Sequence, residues 1–126
     1  MLSLDTGDKI RADATNGSQV DFTVFGLLNN ALKQLADGQL AASIGDLYTA
    51  ASQEVVTSII LVNTGAGINY INLYLTTAGS PTGTRRLIPK SLALGSNCSL
   101  HFEGGKMQVF DPNGNLLVAS GTAVYQ

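Results

Sequence analysis

The side chains best suited to chemistry are few and far apart. His101 is the single histidine, and strand alternation turns it away from its neighbours Leu100 and Phe102. That reads as a surface or interface histidine, not a ligand or a base. The two glutamates, Glu54 and Glu103, could in principle divide acid and base roles over a glycosidic bond. With no Trp in the chain to line a sugar cleft, that reading has little behind it. Asp5, Asp8 and Asp13 lie close in sequence, but Asp8 and Asp13 fall on opposite faces by parity and no D-x-D-x-D spacing is present. Solvated strand charges account for them. No serine sits in a G-x-S-x-G elbow. The glycine-rich stretches "NTGAGIN" and "TTAGSPTGT" lack the Gly-Lys-Thr or helix start of a phosphate cradle.

Cys98 is the lone cysteine, so neither an intrachain disulfide nor a thiolate cluster can form, and a buried, inert thiol in a strand is expected. "NCS" at Asn97 to Ser99 matches a glycosylation sequon by chance, because the N-terminal residues carry no basic and apolar leader. The residues thus point to no catalytic site, no metal and no cofactor, and the chain is read as a non-enzyme.

Two features suit contact better than catalysis. Arg85-Arg86 is the one compact basic feature. It is read first as a solvated loop-to-strand junction and second as a pair meeting aspartates of a neighbour. Tyr48, Tyr70 and Tyr74 either close a sheet face or touch a partner; Tyr70 and Tyr74 share parity opposite an aliphatic face, which favours contact.

Composition sets the frame for both. A chain of 126 residues has room for one domain and one core. Apolar residues make up 44% and charged residues 13%, so much of the surface is expected to be hidden in the core or against neighbours. Seven Lys and Arg in a chain of net charge −2 argue against binding nucleic acid through phosphates. No run reaches the roughly 18 apolar residues of a membrane span, and the chain is expected to stay soluble or join an assembly in the cytoplasm.

Strands are the elements that must position these side chains. "VDFTVF" alternates, with Val20, Phe22 and Val24 on one face and Asp21 and Thr23 on the other. "EVVTSIILVNTG" is rich in β-branched residues and stops at a polar turn. In "INYINLYLTT", Ile71, Leu73 and Leu75 face one way and Tyr70, Asn72 and Tyr74 the other. Pro89 marks an edge or strand end in "TRRLIPKSLAL". "CSLHFEGGKMQVFD" makes two strands around Gly104-Gly105, and "LLVASGTAVYQ" a last one. Strands at intervals of about ten residues with Gly and Asn turns indicate an antiparallel β-sandwich, jelly-roll-like, in an all-β chain. One stretch departs: "LLNNALKQLADG" spaces Leu27, Leu28, Ala31, Leu32 and Leu35 as a helix would, so a short helix is expected from Leu28 to Ala36.

"GDKIRADATNG" (Gly7 to Gly17) and "GGKMQVFDPNG" (Gly104 to Gly114) match at four positions with one offset. The chain therefore reads as an N-terminal β-hairpin (1–26), a connecting helix (27–38) and a sandwich body (39–126).

The body resembles a family of small bacteriophage virion proteins over roughly residues 35 to 110. The resemblance is carried by Ala36-Asp37-Gly38-Gln39-Leu40, Leu47-Tyr48-Thr49, Leu61-Val62-Asn63-Thr64, Asn72-Leu73-Tyr74-Leu75 and Arg85-Arg86-Leu87-Ile88-Pro89-Lys90. It implies an antiparallel sandwich in a phage particle, as a decoration, fibre or tail-associated component without enzymatic activity. Such domains close on a hairpin that "GDKIRADATNGSQVDFTVFG" matches better than the chain's own end does. Residues 1–26 thus look like a second closing hairpin carried ahead of the body, free to join its own sheet or a neighbour's.

The expectation is a capsid decoration (cement) protein, assembled in the host cytoplasm, a homo-oligomer of three chains that contacts the major capsid protein or another virion protein. The interface is expected to use Ile10, Val20, Phe22, Val24, Leu28, Leu32, Leu35, Tyr70, Tyr74, Arg85 and Arg86. The alternatives are a tail- or fibre-associated receptor- or carbohydrate-binding module and a small hydrolase. Neither nucleic acid nor a membrane is an expected partner.

Overall fold

Asn29 and Asn30 both take left-handed backbone conformations, with φ of 53° and 64°. Two such residues in succession build the tight turn whose twist matches paired antiparallel strands. They join β3 (Val20–Leu28) to β4 (Ala31–Gln39), with Leu28 opposite Ala31. The expected helix over Leu28 to Ala36 is therefore absent, and its residues form a hairpin. Its helical spacing has a local cause. Gln34 and Ala36 oppose the adjacent residues Phe25 and Val24, which leaves Leu35 as an extra residue in a β-bulge. The bulge resets the alternation, so Leu32 and Leu35 no longer follow a period of two. Leu35 fills the space beside Gly26, where a Cβ would stand 2.6 Å from its Cδ1.

The computed structural model describes residues 2–79, 83–103 and 106–119, and all regular structure among them is β. The remaining elements are β1 (Leu2–Leu4), β2 (Lys9–Ala14), β5 (Gly45–Thr49), β6 (Glu54–Asn63), β7 (Asn69–Thr77), β8 (Gly83–Arg86), β9 (Leu92–Leu94), β10 (Ser99–Glu103), β11 (Lys106–Phe110) and β12 (Leu116–Ala119). They form two antiparallel sheets. The larger runs β12-β11-β10-β6-β3-β4, with β1 continuing the line of β10 along β6. The smaller runs β5-β2-β7-β8, with β9 continuing the line of β8 along β7. One hydrophobic cluster joins them, including Ile10, Leu73 and Leu94 from the smaller sheet and Val24, Ile59, Leu61 and Leu100 from the larger. This is the packing expected of a β-sandwich.

β2 and β3 do not pair with each other. β2 lies between β5 and β7 in one sheet, and β3 lies between β6 and β4 in the other. Residues 2–26 are thus an arch across the core and not a separable hairpin. The described residues of the three expected segments share one core. Ile10, Val20 and Val24 are wholly buried and Phe22 nearly so, so these four residues face their own chain and not a partner.

β6 carries a second bulge: Val56 opposes Gly26 and Ser58 opposes Phe25, leaving Thr57 over. Inward residues are Glu54 and Val56 before it, and Ile59, Leu61 and Asn63 after it. The central strand therefore begins and ends with a polar side chain turned into the core, which decides what stands at each end of the sandwich.

Candidate interaction surfaces

At the end of the sandwich where β6 stops, Asn63 and Asn69 are fully buried. Asn63 Nδ2 donates to the carbonyls of Gly67 and Leu94, each at 2.8 Å, and its Oδ1 accepts from the Gly65 N–H and from Asn69 Nδ2. Asn69 Nδ2 also reaches Gln19 Oε1 at 3.1 Å, and its Oδ1 accepts from the Asn16 N–H at 2.9 Å. Buried amides with these bonds met are rigid fixtures, because any loosening strands a polar group away from water. They tie together the loops 15–19, 64–68 and 95–97. A fourth loop, 40–44, joins through Ser18 N–H to the Leu40 carbonyl and Ala14 N–H to that of Ala41, both at 3.0 Å.

At the opposite end, Glu54 is buried and accepts hydrogen bonds from the Tyr48 hydroxyl and from Ser52 Oγ. Burial, with the Glu54 carboxyl beside it, pushes the Tyr48 hydroxyl up to about 12. Asp8 is also buried, so it is not the solvated charge that parity suggested. Its carboxylate accepts from the Ala78 and Asp5 N–H groups, each at 3.0 Å, and these bonds hold it below the usual carboxylate range. Tyr48 and Asp8 thus close the fold at this end.

The outer face of the smaller sheet is polar. In one row across the strands stand Asp46, Arg11, Tyr74 and Arg86. Asp46 pairs with Lys9 at 3.1 Å and with Arg11 at 2.8 Å, and the Lys9 ammonium foremost keeps its carboxyl low. Arg86 stacks on the Tyr74 ring, 5.1 Å from its centre, and donates to Asn72 Oδ1. Asp13 accepts from Asn72 Nδ2 and the Tyr74 hydroxyl. The Arg pair thus divides. Arg86 is fixed to its own sheet, while Arg85 is exposed and bonds the Thr84 carbonyl beside it. Tyr70 lies on the same face, 47% exposed between the small side chains of Ala93 and Thr15.

The outer face of the larger sheet is more apolar. Leu32 is 75% exposed beside Leu27, and Phe25, Leu32, Lys33, Gln34 and Thr57 line a groove of about 380 Å³. Leu28 and Leu35 are half-buried. Of the three leucines assigned to an interface from a helical pattern, Leu32 is the one that stands well clear. His101 lies on this face as parity requires, edge-on to Phe110 with ring centres 5.0 Å apart. Both line a second groove of about 460 Å³ with Val62, Asn97 and Asp111. Cys98 is a buried free thiol just ahead of β10.

Among the described residues no group of three or more His, Cys, Asp or Glu side chains could hold a metal ion, and no helix is long and apolar enough to cross a membrane. No protein-family model, no curated protein and no solved structure matches the chain. The class supported by the fold is an all-β protein of two antiparallel sheets, consistent with a β-sandwich.

Sequence reasoning missed Asn63, Asn69, Ile44 and Ile68. The asparagines were legible in principle as polar residues abutting the apolar runs "SIILV" and "YINLYL". The exposure of the isoleucines depends on which loops meet, which one-dimensional periodicity does not carry.

Proposed function

We propose that the chain is a non-enzymatic structural protein of a bacteriophage virion, a capsid decoration protein that associates with its own copies and with the shell through strand and loop contacts. The virion part rests on the motifs quoted above. The assembly part rests chiefly on the edge of β4, a nine-residue strand that among the described residues pairs only with β3, with Leu32 exposed along it. Such an edge offers unpaired backbone groups next to apolar area, the combination by which a strand or loop of another chain docks. Lys33 and the Leu35 bulge blunt the edge against indiscriminate pairing, which leaves it to a shaped partner. The test is co-sedimentation of the purified chain with particles of the phage whose genome encodes it. Saturable binding that Leu32→Glu abolishes supports the reading, and absence of the chain from purified particles contradicts it.

A second reading, a carbohydrate-binding module on a tail or fibre, is favoured by the exposed Tyr70 ring on the sheet face that also carries Asn72, Asp13 and Arg86. Tyrosine faces flanked by planar hydrogen-bonding groups suit pyranose rings. Specific glycan-array binding lost on Tyr70→Ala would favour it over the first.

A further inference from the structure

Strand register places the loops 15–19, 40–44, 64–68 and 95–98 at one end of the sandwich, since Val20 opposes Asn63, Ala14 opposes Ile71, and Asn69 opposes Leu94. None of these four loops contains Asp, Glu, Lys or Arg. Ile44 at 40%, Ile68 at 53% and Tyr70 at 47% exposure stand out there, with Ala41, Ala42, Ala66 and Gly67 also exposed around them. The turn 111–115 borders this end and brings one charge, Asp111. Its carboxylate is turned onto its own loop, accepting from the Asn113 and Asn115 N–H groups at 2.9 and 2.8 Å.

We propose that this end is a self-association surface, meeting the same end of a second copy of the chain across a two-fold axis. A surface depleted of charge and carrying exposed isoleucines is typical of the core of a homodimer contact. In a two-fold contact each patch meets itself, so any charge would face its like; here the central loops have none. The polar groups present are Ser, Thr, Asn and Gln, each both donor and acceptor, so they too can pair with their own kind. With Leu40 and Cys98 buried, the four loops with Tyr70 supply about eighteen accessible residues, close to the roughly twenty per side of a stable interface.

The surface is also pre-formed. Thr64 N–H and Oγ1 both bond the Gln19 carbonyl, Asn97 N–H bonds the Asn63 carbonyl, and Ser96 Oγ bonds that of Gly65. Docking then spends little entropy on ordering loops. This two-chain contact differs from the assembly of three chains expected from the sequence. It rests on the geometry alone and stands whether or not the chain belongs to a virion.

The experiment is light scattering of the purified full chain over a wide concentration range, beside Ile44→Glu/Ile68→Glu and, at an exposed position of the opposite end, Ala51→Glu. The expected result is the mass of two chains for wild type and Ala51→Glu, and half that mass for the double variant at an unchanged melting temperature. If the double variant melts early, Ile68→Lys alone, at a position more than half exposed, gives the same reading. A wild-type chain that is monomeric or trimeric overturns the proposal, and so does a folded variant that keeps the mass of two chains.

Discussion

Asn69 Nδ2 lies 3.0 Å from Asn63 Oδ1, and neither residue is exposed to solvent. This contact joins the start of β7 to the end of β6, and through its further bonds it fixes the loops of one end of the sandwich. Asn69→Ala removes a donor from Asn63 and an acceptor from the Asn16 N–H. An unsatisfied buried polar group costs about 1–3 kcal/mol, so urea unfolding of this variant is expected to show a loss in that range. Hydrogen exchange at Asn16 is expected to speed up as well. Unchanged stability and exchange would remove the amide pair from its organising role.

Asn30 separates a hairpin from a helix by the sign of one substitution. In a helix Ala is the most favourable residue. At φ of 64° a left-handed Ala costs about 1–2 kcal/mol. Asn30→Ala is therefore expected to destabilise, while Asn30→Gly holds or gains slightly. A gain from alanine would contradict the turn.

That turn also shows where periodicity stops being informative. The strands "VDFTVF" and "INYINLYLTT" were legible because each buries one face, so alternation passes directly into burial. β4 was not legible: it is exposed on an edge, and its bulge at Leu35 breaks the period of two. Asn29-Asn30 was the overlooked signal, since Asn tolerates positive φ. The arch of β2 and β3 was missed for another reason. Alternation shows that each strand buries a face, but not that the two faces belong to different sheets. For the same reason Ile10, Val20, Phe22 and Val24 read equally well as interface or core.

Tyr48 makes stability pH-dependent on the alkaline side. Its folded pKa, about 12, lies above the ordinary value of about 10, so the folded state holds the proton more tightly. The resulting stabilisation is fully present below about pH 10 and is lost as pH rises through about 12. Tyr48→Phe should flatten the fall in stability over this window. At neutral pH it should cost about 1–3 kcal/mol, because buried Glu54 loses its hydroxyl donor. An unaltered alkaline slope in the variant contradicts the assignment.

Arg86 acts on Tyr74 in the opposite sense to burial. Burial chiefly, with Asp13, raises the Tyr74 hydroxyl, while the Arg86 charge lowers it. Arg86→Gln should therefore move the Tyr74 titration to higher pH, read by ultraviolet absorbance against a Tyr74→Phe control. A downward shift, or none, would show that the stack seen at 5.1 Å does not hold Arg86 in place.

The central claim, that this chain is an assembly component working through a free strand edge, is tested most directly by hydrogen exchange on the full chain, free and bound to purified phage particles. Slowed exchange along Ala31–Gln39 on binding, with β2, which is paired on both sides, unchanged, is the predicted result. Binding that leaves the β4 amides exchanging as in the free chain would contradict it.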